Sequence, residues 1–125
     1  MKKLLIAAII SLSSVTTAAV AEVKVGIILG FTGPIESLTP AMRDGARMAF
    51  DEASNSGNLL GGETFTILEA DSTCVDSAAA TAAAEQLVAD GVAAIMGADC
   101  SGVTGAVNAN VAVPNGVLMV SPSAT

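Results

Sequence analysis

VKVGIILGF, residues 23–31, is apolar at almost every position and rich in valine and isoleucine. A strand with one wet face alternates polar and apolar residues; a run with so little alternation describes a strand buried on both faces, as in a parallel sheet. Thr32-Gly33-Pro34 breaks the run. Parallel strands need a crossover, and the next segment supplies one. From about Pro40 to Ser56 the spacing of Met42, Ala46, Ala49, Phe50 and Ala53 is helical, with Pro40 suited to the first turn and Gly57 to the stop. Gly61-Gly62 then marks a turn, and TFTILEA, Thr64 to Ala70, alternates with β-branched residues as a second strand. Asp76 is a candidate N-cap for an Ala-rich helix that runs to about Ala89 and stops at Asp90-Gly91. VAAIMGA, Val92 to Ala98, reads as a third strand, Ser101 to about Val111 as a third helix, Pro114-Asn115-Gly116 as a turn, and Val117 to Ser121 as a fourth strand. The order βαβαβαβ predicts an α/β fold: a doubly wound parallel sheet of flavodoxin-like order with right-handed crossovers and helices on both faces.

Ahead of this unit, Lys2 and Lys3 precede an apolar stretch from Leu4 to Ile10, a Ser/Thr segment, and the small residues Ala19-Val20-Ala21. Residues 1–21 therefore read as a secretory signal peptide cut after Ala21, leaving residues 22–125 as one exported domain. The apolar stretch is shorter than the about 20 residues a permanent membrane span needs, so no membrane insertion of the mature chain is expected. Without Lys2 and Lys3, three basic side chains face twelve acidic ones, a net charge of −9. That balance argues against nucleic acid and anionic lipid as partners. With three phenylalanines and no tryptophan or tyrosine, no aromatic stacking platform is available. Export leaves Cys74 and Cys100 either paired as a structural disulfide or buried as free thiols, and their separation excludes a C-x-x-C redox pair. Two cysteines and no histidine are too few ligands for a tetrahedral zinc site.

Ligands of open α/β sheets bind beyond the carboxyl ends of the strands. Those ends are the loops Thr32 to Thr39, Asp71 to Asp76, Asp99 to Gly102 and Ser121 to Thr125. Ser101 is expected at the N-cap of the third helix, where unpaired N–H groups and the helix dipole attract a carboxylate or phosphate. SPSAT, Ser121 to Thr125, brings three more hydroxyls to the neighbouring strand end. Together these predict a site for a small anion. Catalysis is not expected: the chain has no histidine, and no serine stands in a G-x-S-x-G elbow. Gly26, Gly30 and Gly33 do not have the spacing of a nucleotide fingerprint and read as turn glycines; Asp71, Asp76 and Asp99 fit no EF-hand pattern and read as caps or solvent-facing groups. No cofactor is expected.

The stretches VKVGIILGFTGP, RDGARMAFDEASNSGNLLGG, EADSTCVDSAAATAAAEQLVADGVAAIMGADCSG and VSPSAT together resemble the type I periplasmic substrate-binding proteins of ABC transporters, in their leucine/isoleucine/valine-binding branch. The resemblance implies a two-lobed protein in the periplasm that closes on an amino acid and delivers it to a membrane permease, with residues 22–125 forming an incomplete N-terminal lobe. It implies a Cys74–Cys100 disulfide, and ligand α-carboxylate contacts from Ser101, Ser123 and Thr125. Two positions depart from the pattern. Leu38 stands where many members carry a ligand-contacting tyrosine, and Asp99 stands where an apolar residue is common. Turned into the pocket, Asp99 would favour a ligand with a polar or cationic side chain. A sensing or regulatory module on the same fold, and a small exported flavodoxin-like protein, are the alternative readings.

Overall fold

The computed structural model describes residues 21–125, so the leader reading of residues 1–21 falls almost wholly outside the described residues. Four strands, β1 (Glu22–Leu29), β2 (Thr64–Asp71), β3 (Ala94–Gly97) and β4 (Leu118–Val120), form one sheet in the order β2-β1-β3-β4. All three pairings are parallel. The doubly wound reading and the flavodoxin-like order therefore hold, and the order reverses between β1 and β3, where such folds bind ligands.

β2 runs one residue past the expected Ala70, to Asp71, but β1, β3 and β4 are shorter than their apolar runs, and hydrogen bonding explains why. β1 stops at Leu29 because the Gly30 N–H goes to the Asp99 carboxylate and the Phe31 N–H turns back to the Leu29 carbonyl. β3 starts at Ala94 because the Val92 N–H still bonds to Leu87, closing the preceding helix, and only the Ala93 N–H reaches across to Lys24. β4 starts after Val117, whose N–H bonds to Ala112.

Helix α1 (Thr39–Asn55) covers β1 and β2 on one face of the sheet, with Phe50 meeting Phe65 edge-to-face at 5.1 Å. Helix α2 (Ser77–Ala89) lies on the other face and is capped by Asp76, whose carboxylate accepts from the Ala78 and Ala79 N–H groups at 2.9 and 3.0 Å. Helix α3 (Ser101–Val107) packs beside α2. It does not end near Val111: a π-helical turn (Asn108–Ala112) and a last α turn, α4 (Val113–Asn115), carry it on to Gly116 at φ 64°. The wider turn accommodates Pro114, which has no N–H to give, and the Asn115 side-chain amide satisfies the Val111 carbonyl at 2.8 Å.

The core lies between the sheet and the α2/α3 layer. Ile28 and Ile95 meet Ala80, Ala84 and Leu87 of α2 and Val103, Val107 and Val111 of the α3 segment. Small alanines let α2 lie close to the strands. Gly26 belongs to this packing and not to a turn, because a Cβ there would come within 2.9 Å of the Leu87 side chain. The opposite face is only half covered. Beyond α1, residues Val23, Val25, Phe65, Met96, Leu118 and Val120 line an open apolar groove of about 390 Å³.

Candidate functional site

The residues from which an anion site is expected lie at the carboxyl edge of the sheet and not in the apolar groove, which occupies the sheet face. Four loops meet at that edge. Between β1 and α1, the Thr39 hydroxyl donates to the Gly30 carbonyl at 3.1 Å, fixing the entry to α1. Between β2 and α2, the Ser72 N–H donates to the Leu29 carbonyl at 2.8 Å, extending the β1–β2 pairing by one bond. The Asp71 carboxylate then ties these two loops together. It accepts from the Thr32 hydroxyl at 2.6 Å, the Thr32 N–H at 3.3 Å and the Thr73 N–H at 2.8 Å. Burial alone would raise its pKa, but the hydrogen bonds from Thr32, Thr73 and Phe31 together outweigh that and hold the carboxyl below its ordinary 3.8. The fit of the two loops is tight. Gly33 has φ 94°, and a Cβ there would lie 2.6 Å from the Thr73 carbonyl oxygen, while Thr73 and Cys74 themselves take positive φ.

Cys74 and Cys100 form the disulfide, with Cα atoms 5.3 Å apart, so the β2–α2 loop is joined covalently to the start of α3. The tip of β3 is held on its other side by the last loop. The Ser121 hydroxyl donates to the Ala98 carbonyl and accepts from the Ala124 N–H at 2.9 Å, and the Ser123 hydroxyl donates to the Asp99 carbonyl at 2.7 Å. The Thr125 N–H donates to the Ser101 hydroxyl oxygen at 3.1 Å.

Ser101, Ser123 and Thr125 are thus brought to one place, each exposed to solvent. Ser101 is the first helical residue, not the N-cap; Cys100 holds the N-cap position, and its carbonyl accepts both the Thr104 N–H and hydroxyl at 2.9 Å. The Ser101 hydroxyl is therefore not spent on capping: its oxygen accepts from Thr125 and its proton remains to be given. Leu38 stands apart on the β1–α1 loop, 57% exposed, outside the hydrogen-bond network that joins the others. Asp99 is the clearest difference from expectation. Its side chain does not open into the cleft; it is 4% exposed, and its carboxylate is taken up by Gly30, Ser72 and Cys100. The sequence reading missed Ser72 and Thr39, both fully buried. Their only signal was a hydroxyl residue directly after an acidic strand end or directly before a helix-starting proline.

Asp71, Asp76 and Asp99 do not converge, since each serves a different set of backbone donors. Among the described residues no group of three or more His, Cys, Asp or Glu side chains could hold a metal ion, and no helix is long and apolar enough to cross a membrane.

Comparison with known proteins gives this arrangement a family. The family model for periplasmic binding proteins matches residues 22–125. Among curated relatives, the Leu/Ile/Val-binding protein BraC3 of Rhizobium johnstonii is 34% identical over 105 residues, covering 84% of this chain and 28% of its own. Among solved structures, the branched-chain amino acid transporter substrate-binding protein LivJ of Streptococcus pneumoniae, in complex with isoleucine, superposes with a TM-score of 0.75 at 31% identity, over 83% of this chain and 29% of that one. A solute-binding protein of an ABC transporter from R. palustris, in complex with 4-hydroxybenzoate, superposes at 0.65 and 25% identity, over 83% of this chain and 27% of that one. The chain belongs to the periplasmic binding protein family. It spans about three-tenths of the length of the relatives it matches.

Proposed function

We propose that residues 22–125 form part of the first lobe of an extracytoplasmic solute-binding protein, exported by the leader at residues 1–21, that captures an amino acid or similar small carboxylate for an ABC-transporter permease. The observation that carries this reading is the hydrogen bond from the Thr125 N–H to the Ser101 hydroxyl. It draws two loops from different strand ends together at the exposed start of α3, with the Ser101 oxygen accepting and its hydroxyl proton left to donate. A carboxylate accepts hydrogen bonds only, so a cluster of donors with no neighbouring base suits it. The two liganded neighbours favour the same chemistry, since isoleucine and 4-hydroxybenzoate share a carboxylate. On this reading the Ser101 and Thr125 hydroxyls donate to the carboxylate, Ser123 keeps their loop in place through its bond to the Asp99 carbonyl, and Leu38 presents an apolar surface to the rest of the ligand. The acidic chain places few cations at the edge, so the binding energy comes from oriented dipoles rather than from an ion pair.

The test is a thermal-shift and calorimetric screen of the complete product against amino acids and aromatic carboxylates, since a ligand that binds only the folded state raises Tm. At least one carboxylate is expected to raise it, and Ser101→Ala is expected to weaken that ligand about tenfold, the effect of losing one hydrogen bond to a charged group. Absence of any carboxylate ligand would refute the proposal.

A further inference from the structure

Asp99 is a buried carboxylate with no basic partner: the salt bridges among the described residues involve only Arg43 and Arg47 with Asp44 and Glu69. Burying a charge without an ion pair is costly unless several donors compensate. Three do. Oδ2 accepts from the Gly30 N–H at 2.7 Å, and Oδ1 accepts from the Ser72 hydroxyl at 3.2 Å and the Cys100 N–H at 3.0 Å. The donors come from the ends of three strands, β1, β2 and β3. The main chain of the same residue reaches the fourth, because its carbonyl accepts from the Ser123 hydroxyl at 2.7 Å. Asp99 therefore bridges the whole carboxyl edge, its side chain turned toward β1 and β2 and its carbonyl toward the loop after β4.

We infer that Asp99 is a positioning residue for the carboxylate site: it sets the spacing of the loops that carry Ser101, Ser123 and Thr125, and it does not select the ligand by charge. The inference rests on the carboxylate-binding reading above. If the Asp99 acceptors are removed, the Gly30 N–H and Ser72 hydroxyl are left buried and unpaired, and the β1 and β2 ends lose their fixed distance to the Asp99–Ser101 segment. The disulfide keeps the loops linked but does not restore these contacts.

The experiment compares the complete product with Asp99→Asn, Asp99→Leu and Ser72→Ala, using a set of neutral, cationic and acidic amino acids and the α-carboxamide of the best ligand. Both Asp99 variants are expected to lose about tenfold in affinity for every amino acid, with the rank order kept. The preference for the amino acid over its carboxamide is expected to shrink as well, an effect that a general loss of stability would not produce. Ser72→Ala removes one donor and leaves Gly30 and Cys100 in place, so it is expected to show a smaller loss of the same kind; it decides the matter if the Asp99 variants do not fold. A selective loss of cationic ligands would overturn the inference by placing Asp99 against the ligand side chain. A gain in affinity in both Asp99 variants would overturn it by making charge repulsion the dominant effect, and unchanged affinity in variants that fold would overturn it outright. A native protein that binds no carboxylate refutes the functional reading first and this inference with it; native binding with indifferent variants refutes this inference alone.

Discussion

Gly97 shows how a single position limits the whole edge. Its φ is 128°, and a Cβ built there would run into the Ile28 carbonyl oxygen, which is backbone and cannot swing aside. Gly97→Ala is expected to cost more than about 3 kcal/mol or to prevent folding, as read by urea denaturation. Asp71 gives a pH-dependent prediction. Its folded carboxyl titrates below its ordinary 3.8, so ionised Asp71 contributes stability at pH values above the unfolded pKa, and that contribution is lost as pH falls through the folded value. Asp71→Asn should therefore lower stability at neutral pH and flatten the acid limb below about pH 4, leaving the curve as level between pH 6 and pH 8 as in the native protein. An acid limb as steep as the native one would show that Thr32 and Thr73 do not hold the ionised form. At this scale the sequence was only partly informative. That Ser101, Ser123 and Thr125 would meet could be read from strand alternation, because all three follow strand ends. The direction of the Asp99 side chain could not, because it depends on the buried Ser72 hydroxyl and the Gly30 N–H, which belong to other strands.

The elements were legible where local chemistry decides them. Asp76 was identifiable as a cap because an acidic residue precedes an alanine-rich run, and the structure confirms the two N–H bonds it accepts. The end of the third helix was not, because Pro114 read as a stop, and the π turn that absorbs it has no separate sequence signal. The carboxyl ends of β1, β3 and β4 were overestimated for a related reason: apolar character continues past the last ladder bond, while N–H groups such as that of Gly30 are claimed by side chains from elsewhere. The Cys74–Cys100 disulfide joins two such ends, the loops after β2 and β3. Replacing both cysteines by alanine should lower unfolding free energy by roughly 3–4 kcal/mol on the loop-entropy estimate, and reducing agent should have no further effect on that variant. Equal stability of the oxidised native protein and the double variant would show that hydrogen bonds alone hold the edge.

At the scale of the molecule, the alternation of strand and helix carried the architecture, and the strand order agreed with expectation. What alternation does not specify is how fully each face is covered. α2 and α3 close one side, whereas α1 alone serves the other, leaving Leu118 66% and Val120 59% exposed beside the groove. An isolated chain of residues 22–125 is expected to self-associate through this face despite its acidic charge. The double variant Leu118→Lys, Val120→Lys should shift it toward monomer in sedimentation velocity, and an unchanged distribution would mean that another surface is responsible. The pairing pattern also bears on biogenesis. Val25 lies between Ile67 and Ala94, so the strand made first becomes the middle of the sheet. If the chain is exported as proposed, threading amino-end first through a secretion pore delivers that strand before either flank. On that route its sticky segment would wait, unshielded, until the Ala94 region had crossed, and a holding chaperone on the far side of the membrane would be most useful during that interval.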